Sequence, residues 1–177
     1  ITKFYNIIVK CIFKVKGFPM LHPVAAHFAI VLPIVSLFLG VFYIIKPSEL
    51  MSKISTRFMV FASLFLIVAF FTGKEDGSEA YILLSQAGKA LLLEHKDFGF
   101  YLSIVMFATA MIKLFGCKKK IFKVEVFSIF LLFVISMGIF YQGKTGGELT
   151  YTHGANVQQH SDGMDCLEEQ AAEEAEE

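Results

Sequence analysis

Apolar residues gather into four long runs separated by short polar or basic breaks. The first extends from about Pro23 to Ile45 and closes at Lys46-Pro47-Ser48, and the second covers about Ser55 to Thr72. A third ends at Phe115, and a fourth covers about Val124 to Tyr141. An apolar helix of about 20 residues is long enough to cross the roughly 30 Å hydrocarbon layer of a bilayer. The pattern therefore predicts an all-α integral membrane protein built as a four-helix bundle.

The flanks and breaks refine this picture. Residues 1–18 place Ile1, Phe4, Tyr5, Ile8, Ile12 and Val15 on one side of a helix and Lys3, Lys10 and Lys14 on the other, the pattern of a helix lying in the lipid interface. Gly17-Phe18-Pro19 breaks that helix, Pro23 suits the first turn of the next, and Pro33 is expected to bend it. Glycines and charges from Thr72 to Gly77 predict an exit into water, after which Ser78 is read as the N-cap of one long helix that turns fully apolar near His95. After Tyr141 the glycines at 143, 146, 147 and 154 predict turns with positive φ. The domain reading is an amphipathic segment over 1–18, a transmembrane domain over 19–157 and a flexible acidic tail over 158–177.

Composition agrees with the membrane assignment, since 55% of the 177 residues are hydrophobic. The net charge of zero hides an asymmetry: residues 162–177 hold eight acids and no Lys or Arg, which leaves 16 bases against eight acids in the rest. The segments 46–57 and 113–123, on one side of a four-span topology, carry eight Lys or Arg, with Glu49 and Glu125 as nearby acids. We orient these basic segments to the cytoplasm of a bacterial inner membrane, which puts the opposite face and the tail in the periplasm. Cys11, Cys117 and Cys166 form no C-x-x-C pair, which argues against covalent haem attachment and thiolate clusters. Phosphate-loop and nucleophile-elbow patterns are absent, so nucleotide hydrolysis is not indicated. Lys118 to Lys120 read as a topology signal and not as a nucleic-acid patch.

Histidines supply the candidate chemistry. His22 and His27 open the first span, His95 opens the third, and His153 follows the fourth, so all four fall on one side of the membrane, with His160 after them. Ionisable groups at membrane depth point to a functional site. Leu84, Gly88, Leu91, His95, Gly99 and Leu102 share one helix face, so Gly88 and Gly99 flank His95 and are expected to clear space for a flat ligand or for a close helix.

His22-Pro23-x-x-x-His27-Phe28, Thr72-Gly73, His95 and Gly146-Gly147-Glu148-Leu149-Thr150-Tyr151-Thr152-His153-Gly154 together resemble the DUF2231 family of small bacterial four-helix membrane proteins, over about residues 21–157. The family's common H-F-P is here His27-Phe28-Ala29. The resemblance implies a setting beside redox modules such as cytochromes. The expectation is haem b in the bundle, with His27 and His95 as axial ligands and His22 and His153 as further ligands or propionate partners. Lys74, Lys89, Lys96 and Lys144 are candidate counter-ions. Two alternatives stand beside it. One is a Zn, Cu or Fe site on His27 and His95 with nearby carboxylates; the other is an accessory subunit of a respiratory complex whose basic and acidic ends dock charged partners. In each reading an electron-transfer or accessory role is favoured over a free-standing enzyme. The bilayer is the first partner, and self-association stays open.

Overall fold

The computed structural model describes residues 21–155. The amphipathic segment, His160 and the acidic tail lie outside the described residues. Four helices follow one another: α1 (Leu21–Ile45), α2 (Glu49–Ala80), α3 (Gln86–Lys119) and α4 (Phe122–Tyr151). Each is long and apolar enough to cross a membrane, and the chain is a multi-pass membrane protein. Packing is up-down-up-down, with α1 against α2 and α4, and α3 against α2 and α4.

The distribution of side chains suits lipid. Large apolar groups such as Phe38, Ile45, Phe61 and Phe130 face outward, whereas Ser36, Ser55, Ser63, Ser128 and Ser136 are buried between helices. Small residues let helix backbones approach closely, which is the main source of packing where the solvent is as oily as Leu. Each of these hydroxyls donates to a carbonyl one turn back in its own helix, so none is left unpaired. Met59, Leu66, Met106 and Leu132 fill the central core. A smaller cluster of Ala80, Leu84, Leu149 and Ala155 closes one end.

Three sequence expectations are corrected. α2 does not leave the bundle at Thr72 to Gly77 but continues to Ala80, and Ser78 donates to the Glu75 carbonyl as a mid-helix residue. The chain turns at 81–85 instead, and Ser85 caps α3 by accepting from the Gly88 N–H. α4 likewise continues past Tyr141 to Tyr151, so its glycines at 143, 146 and 147 are helical; among the described residues only Gly154, at φ 69°, is a positive-φ glycine. Of the three helical glycines, Gly146 marks a close approach, to the His95 ring, and Gly147 meets nothing within 4 Å. Finally, Lys113 belongs to no loop: it is fully buried on α3. α1, by contrast, runs on through Pro33 without a break.

At 32 residues α2 is about 48 Å long. The bundle therefore overhangs the hydrocarbon, and the overhang at the histidine end holds the site.

Candidate ligand cavity

A cavity of about 450 Å³ opens among all four helices, between the central core and the small end cluster. Its wall is mostly apolar. The ionisable side chains on it are His22, His27, Lys74, Asp76, His95 and Lys96.

Two of the imidazoles are held in the same way. His22 Nδ1 lies 2.9 Å from the Ala69 carbonyl and 3.3 Å from Thr72 Oγ1. A carbonyl can only accept, so His22 carries its proton on Nδ1. His95 Nδ1 lies 2.7 Å from Thr145 Oγ1, which also lies 3.1 Å from the Gln142 carbonyl. Where the Thr145 hydrogen is on that carbonyl, His95 donates from Nδ1 as His22 does, and each ring then keeps an Nε2 lone pair, the arrangement in which a second partner fixes a ligating histidine.

Glycine makes room for both rings. A Cβ on Gly73 would stand 2.6 Å from Cε1 of His22, and one on Gly146 would stand 3.2 Å from Cε1 of His95. The two imidazoles are close enough for each to feel the other's charge, and His22 also feels Asp76.

The remaining candidates fall differently. His27 is exposed at the cavity's edge and donates from Nδ1 to the Pro23 carbonyl at 2.6 Å. His153 does not line the cavity; it packs over Gly88, where a Cβ would meet it at 3.2 Å. Gly154 in the left-handed conformation produces that placement, turning the chain so that the Ala155 N–H reaches the Leu149 carbonyl. The space beside Gly99 belongs to the Gln142 amide, 2.8 Å from a Cβ there. Gly88 thus packs under His153 away from the cavity and Gly99 lines the cavity beside Gln142, while Gly73 and Gly146 lie directly against the rings. Gln142 Nε2 donates to the His95 carbonyl, and its Oε1 is buried without a donor among the described residues. Among the described residues no three His, Cys, Asp or Glu side chains come together as a metal cage.

A repeat unites these contacts. His95 stands 73 positions after His22, Thr145 the same distance after Thr72, and Gly146 after Gly73. The same offset relates Glu148 to Glu75, Ser128 to Ser55 and Ser136 to Ser63. Hydrogen bonds repeat as well. Ser36 donates to Leu32 and Thr109 to Val105; Ser55 donates to Ser52 and Ser128 to Glu125; Thr72 donates to Ala69 and Thr145 to Gln142. In each half the histidine meets a threonine 50 residues on. The molecule is thus two helical hairpins of one design, α1–α2 and α3–α4, related by parallel duplication. Aligning the sequence with itself at this offset would have exposed Thr72, Gly73, Thr145 and Gly146 as partners of the histidines. His27 has no counterpart, since Phe100 takes its place.

A second polar group was also hidden in the sequence. At the opposite end of the bundle buried Lys113 pairs with Glu125, whose carboxylate also accepts from Tyr43 at 2.8 Å and Ser52 at 2.6 Å. The Lys113 ammonium lies 4.6 Å from the centre of the Tyr43 ring.

The sequence profile of a family described as "Predicted membrane protein (DUF2231)" matches residues 18–159. No curated protein and no solved structure matches at a significant level.

Proposed function

Taking as premise that the chain belongs to the DUF2231 family of predicted membrane proteins, we propose that it is a b-type haem protein of membrane electron transfer, with His22 and His95 as the axial pair. The observation that carries this reading is the shared anchoring of the two rings: both are held at Nδ1, His22 by the Ala69 carbonyl and His95 by Thr145, and both line one cavity, which suits them to offer Nε2 to a ligand. A porphyrin supplies four iron ligands and asks the protein for two, whereas a bare zinc or iron ion asks for three or more. Among the described residues no third metal-ligating side chain is grouped with the two imidazoles, which fits the first demand better. A cavity of about 450 Å³ with a mainly apolar wall falls within the range of cofactor pockets.

Bound haem supplies a one-electron couple. The protein's part is to hold both imidazoles in one tautomer, to surround the iron with low-polarity groups, and to set its potential through the basicity of the two rings. Thr72, Ala69 and Thr145 do the holding. The exposed position of His27 makes it a weaker candidate than His22, and His153 is turned to α3 outside the cavity. A cytochrome or another subunit on the histidine side of a bacterial inner membrane would be the exchange partner, a docking suited to charged surfaces.

The test is an oxidised and dithionite-reduced spectrum of detergent-purified protein, before and after hemin addition, with a pyridine haemochrome assay. Haem b near one per chain, with a sharp reduced α-band that is lost in His22→Ala and His95→Ala, is the expected result. Folded protein with no Soret band after reconstitution would remove the reading.

A further inference from the structure

The duplication is faithful in its imidazoles and unfaithful in its charges. Lys74 on α2 corresponds to Gly147 on α4, and Lys96 on α3 corresponds to Pro23 on α1. Both lysines therefore stand at the gap between α2 and α3, and the equivalent gap between α4 and α1 has neither. Acid does not follow this asymmetry, because Glu75 beside Lys74 has its counterpart in Glu148.

The α2–α3 gap is also where the cavity reaches outward. A groove of about 550 Å³ lies between these helices, walled by Phe71, Tyr81 and Leu93 with Glu75 as its one carboxylate among the described residues, and it shares Lys74 and Lys96 with the cavity. Asp76 lines the cavity and not the groove, on the His22 side. Neither lysine has an ion-pair partner among the described residues, in contrast to Lys53, Lys113 and Lys120. Two unpaired ammonium groups on the shared wall of an apolar chamber and an apolar groove form a receptor for a ligand with a flat apolar body and anionic groups on one edge.

We propose that Lys74 and Lys96 form the carboxylate port of the cavity: the paired imidazoles grip a single flat ligand symmetrically, and the two lysines fix which edge of it faces outward, through the α2–α3 gap. This rests on the haem reading and adds the orientation, the side of entry and a stoichiometry of one. For haem the anionic edge is the two propionates. The duplication alone would have produced a site that accepts either orientation, and the lysines remove that degeneracy.

The experiment titrates full-length protein in detergent with hemin and with hemin dimethyl ester, whose propionates are blocked, following the Soret band. Wild type is expected to prefer hemin by about tenfold, the scale of two partly exposed ion pairs. Lys74→Gln/Lys96→Gln should lose that preference while keeping its affinity for the diester, and Lys74→Arg/Lys96→Arg should retain it. Lys118→Gln/Lys119→Gln removes equal charge at the opposite end of the bundle and should behave as wild type. Equal binding of the two macrocycles by wild type, two haems per chain, or a preference surviving in the Gln pair would overturn the port while leaving the haem reading in place. Failure of wild type to bind either macrocycle would overturn both. Should the Gln pair lose diester binding too, the Arg pair decides: retention of the tenfold preference supports the port and its loss overturns it.

Discussion

The two ends of the bundle hold their polar groups in opposite conditions. At one end Lys113, Glu125, Tyr43 and Ser52 satisfy one another, and nothing there asks for a further partner. At the other, His22 and His95 are pinned by one nitrogen and open at the second, Gln142 Oε1 lacks a donor among the described residues, and two lysines stand unpaired. Burial is affordable at the first end because the charges cancel inside a closed network. The half-buried imidazoles and the exposed lysines of this end leave groups that a ligand could engage, as the closed network does not.

The contrast can be broken most forcefully at the closed end. Lys113→Met leaves a buried carboxylate without its cation and should lower stability by about 3–5 kcal/mol, and Lys113→Met/Glu125→Leu should recover most of the loss. Unfolding in mixed micelles would read both, and equal losses in the single and double variants would show that the pair is not the anchor described. At the open end Gly73→Ala places a methyl within 2.6 Å of the His22 ring and should lower stability by about 1–3 kcal/mol with loss of ligand binding. Gly147→Ala meets nothing within 4 Å and should be neutral or mildly stabilising in the same assay.

Smaller effects sharpen the comparison inside the duplicated site. Thr145→Val strips His95 of the oxygen 2.7 Å from its Nδ1 and should weaken hemin affinity by about ten- to a hundredfold. Thr72→Val should do much less, because His22 keeps the Ala69 carbonyl. Similar losses in the two variants would mean that the carbonyl does not hold His22. At the closed end a modest loss is expected from Tyr43→Phe, which removes one of three donors to Glu125 at about 1 kcal/mol.

Sequence reading found the four spans and the one-sided histidines because both are written in composition and order. It misplaced the ends of α2 and α4 because it took Gly73, Gly77, Gly143, Gly146 and Gly147 as chain breakers. In the fold Gly73 and Gly146 sit under imidazoles and Gly77 under Leu92, contacts that only the packed neighbour reveals. Lys113 and Glu125 looked like loop charges because each lies near the end of an apolar run, and nothing local announces that they face each other across a turn. The threonine partners were legible in principle, through the 73-residue offset, since the halves share few identities but repeat the residues that touch the histidines.

The cavity's position near one end of the bundle has an electrical consequence. A full traverse of the bilayer by one charge is worth about 2.3 kcal/mol per 100 mV of membrane potential, and a charge moving only between the near surface and the cavity senses a small part of that. On the haem reading proposed above, electron exchange with a partner on the histidine side would carry charge across only that small part, and the membrane potential would have little effect on the redox poise of the site.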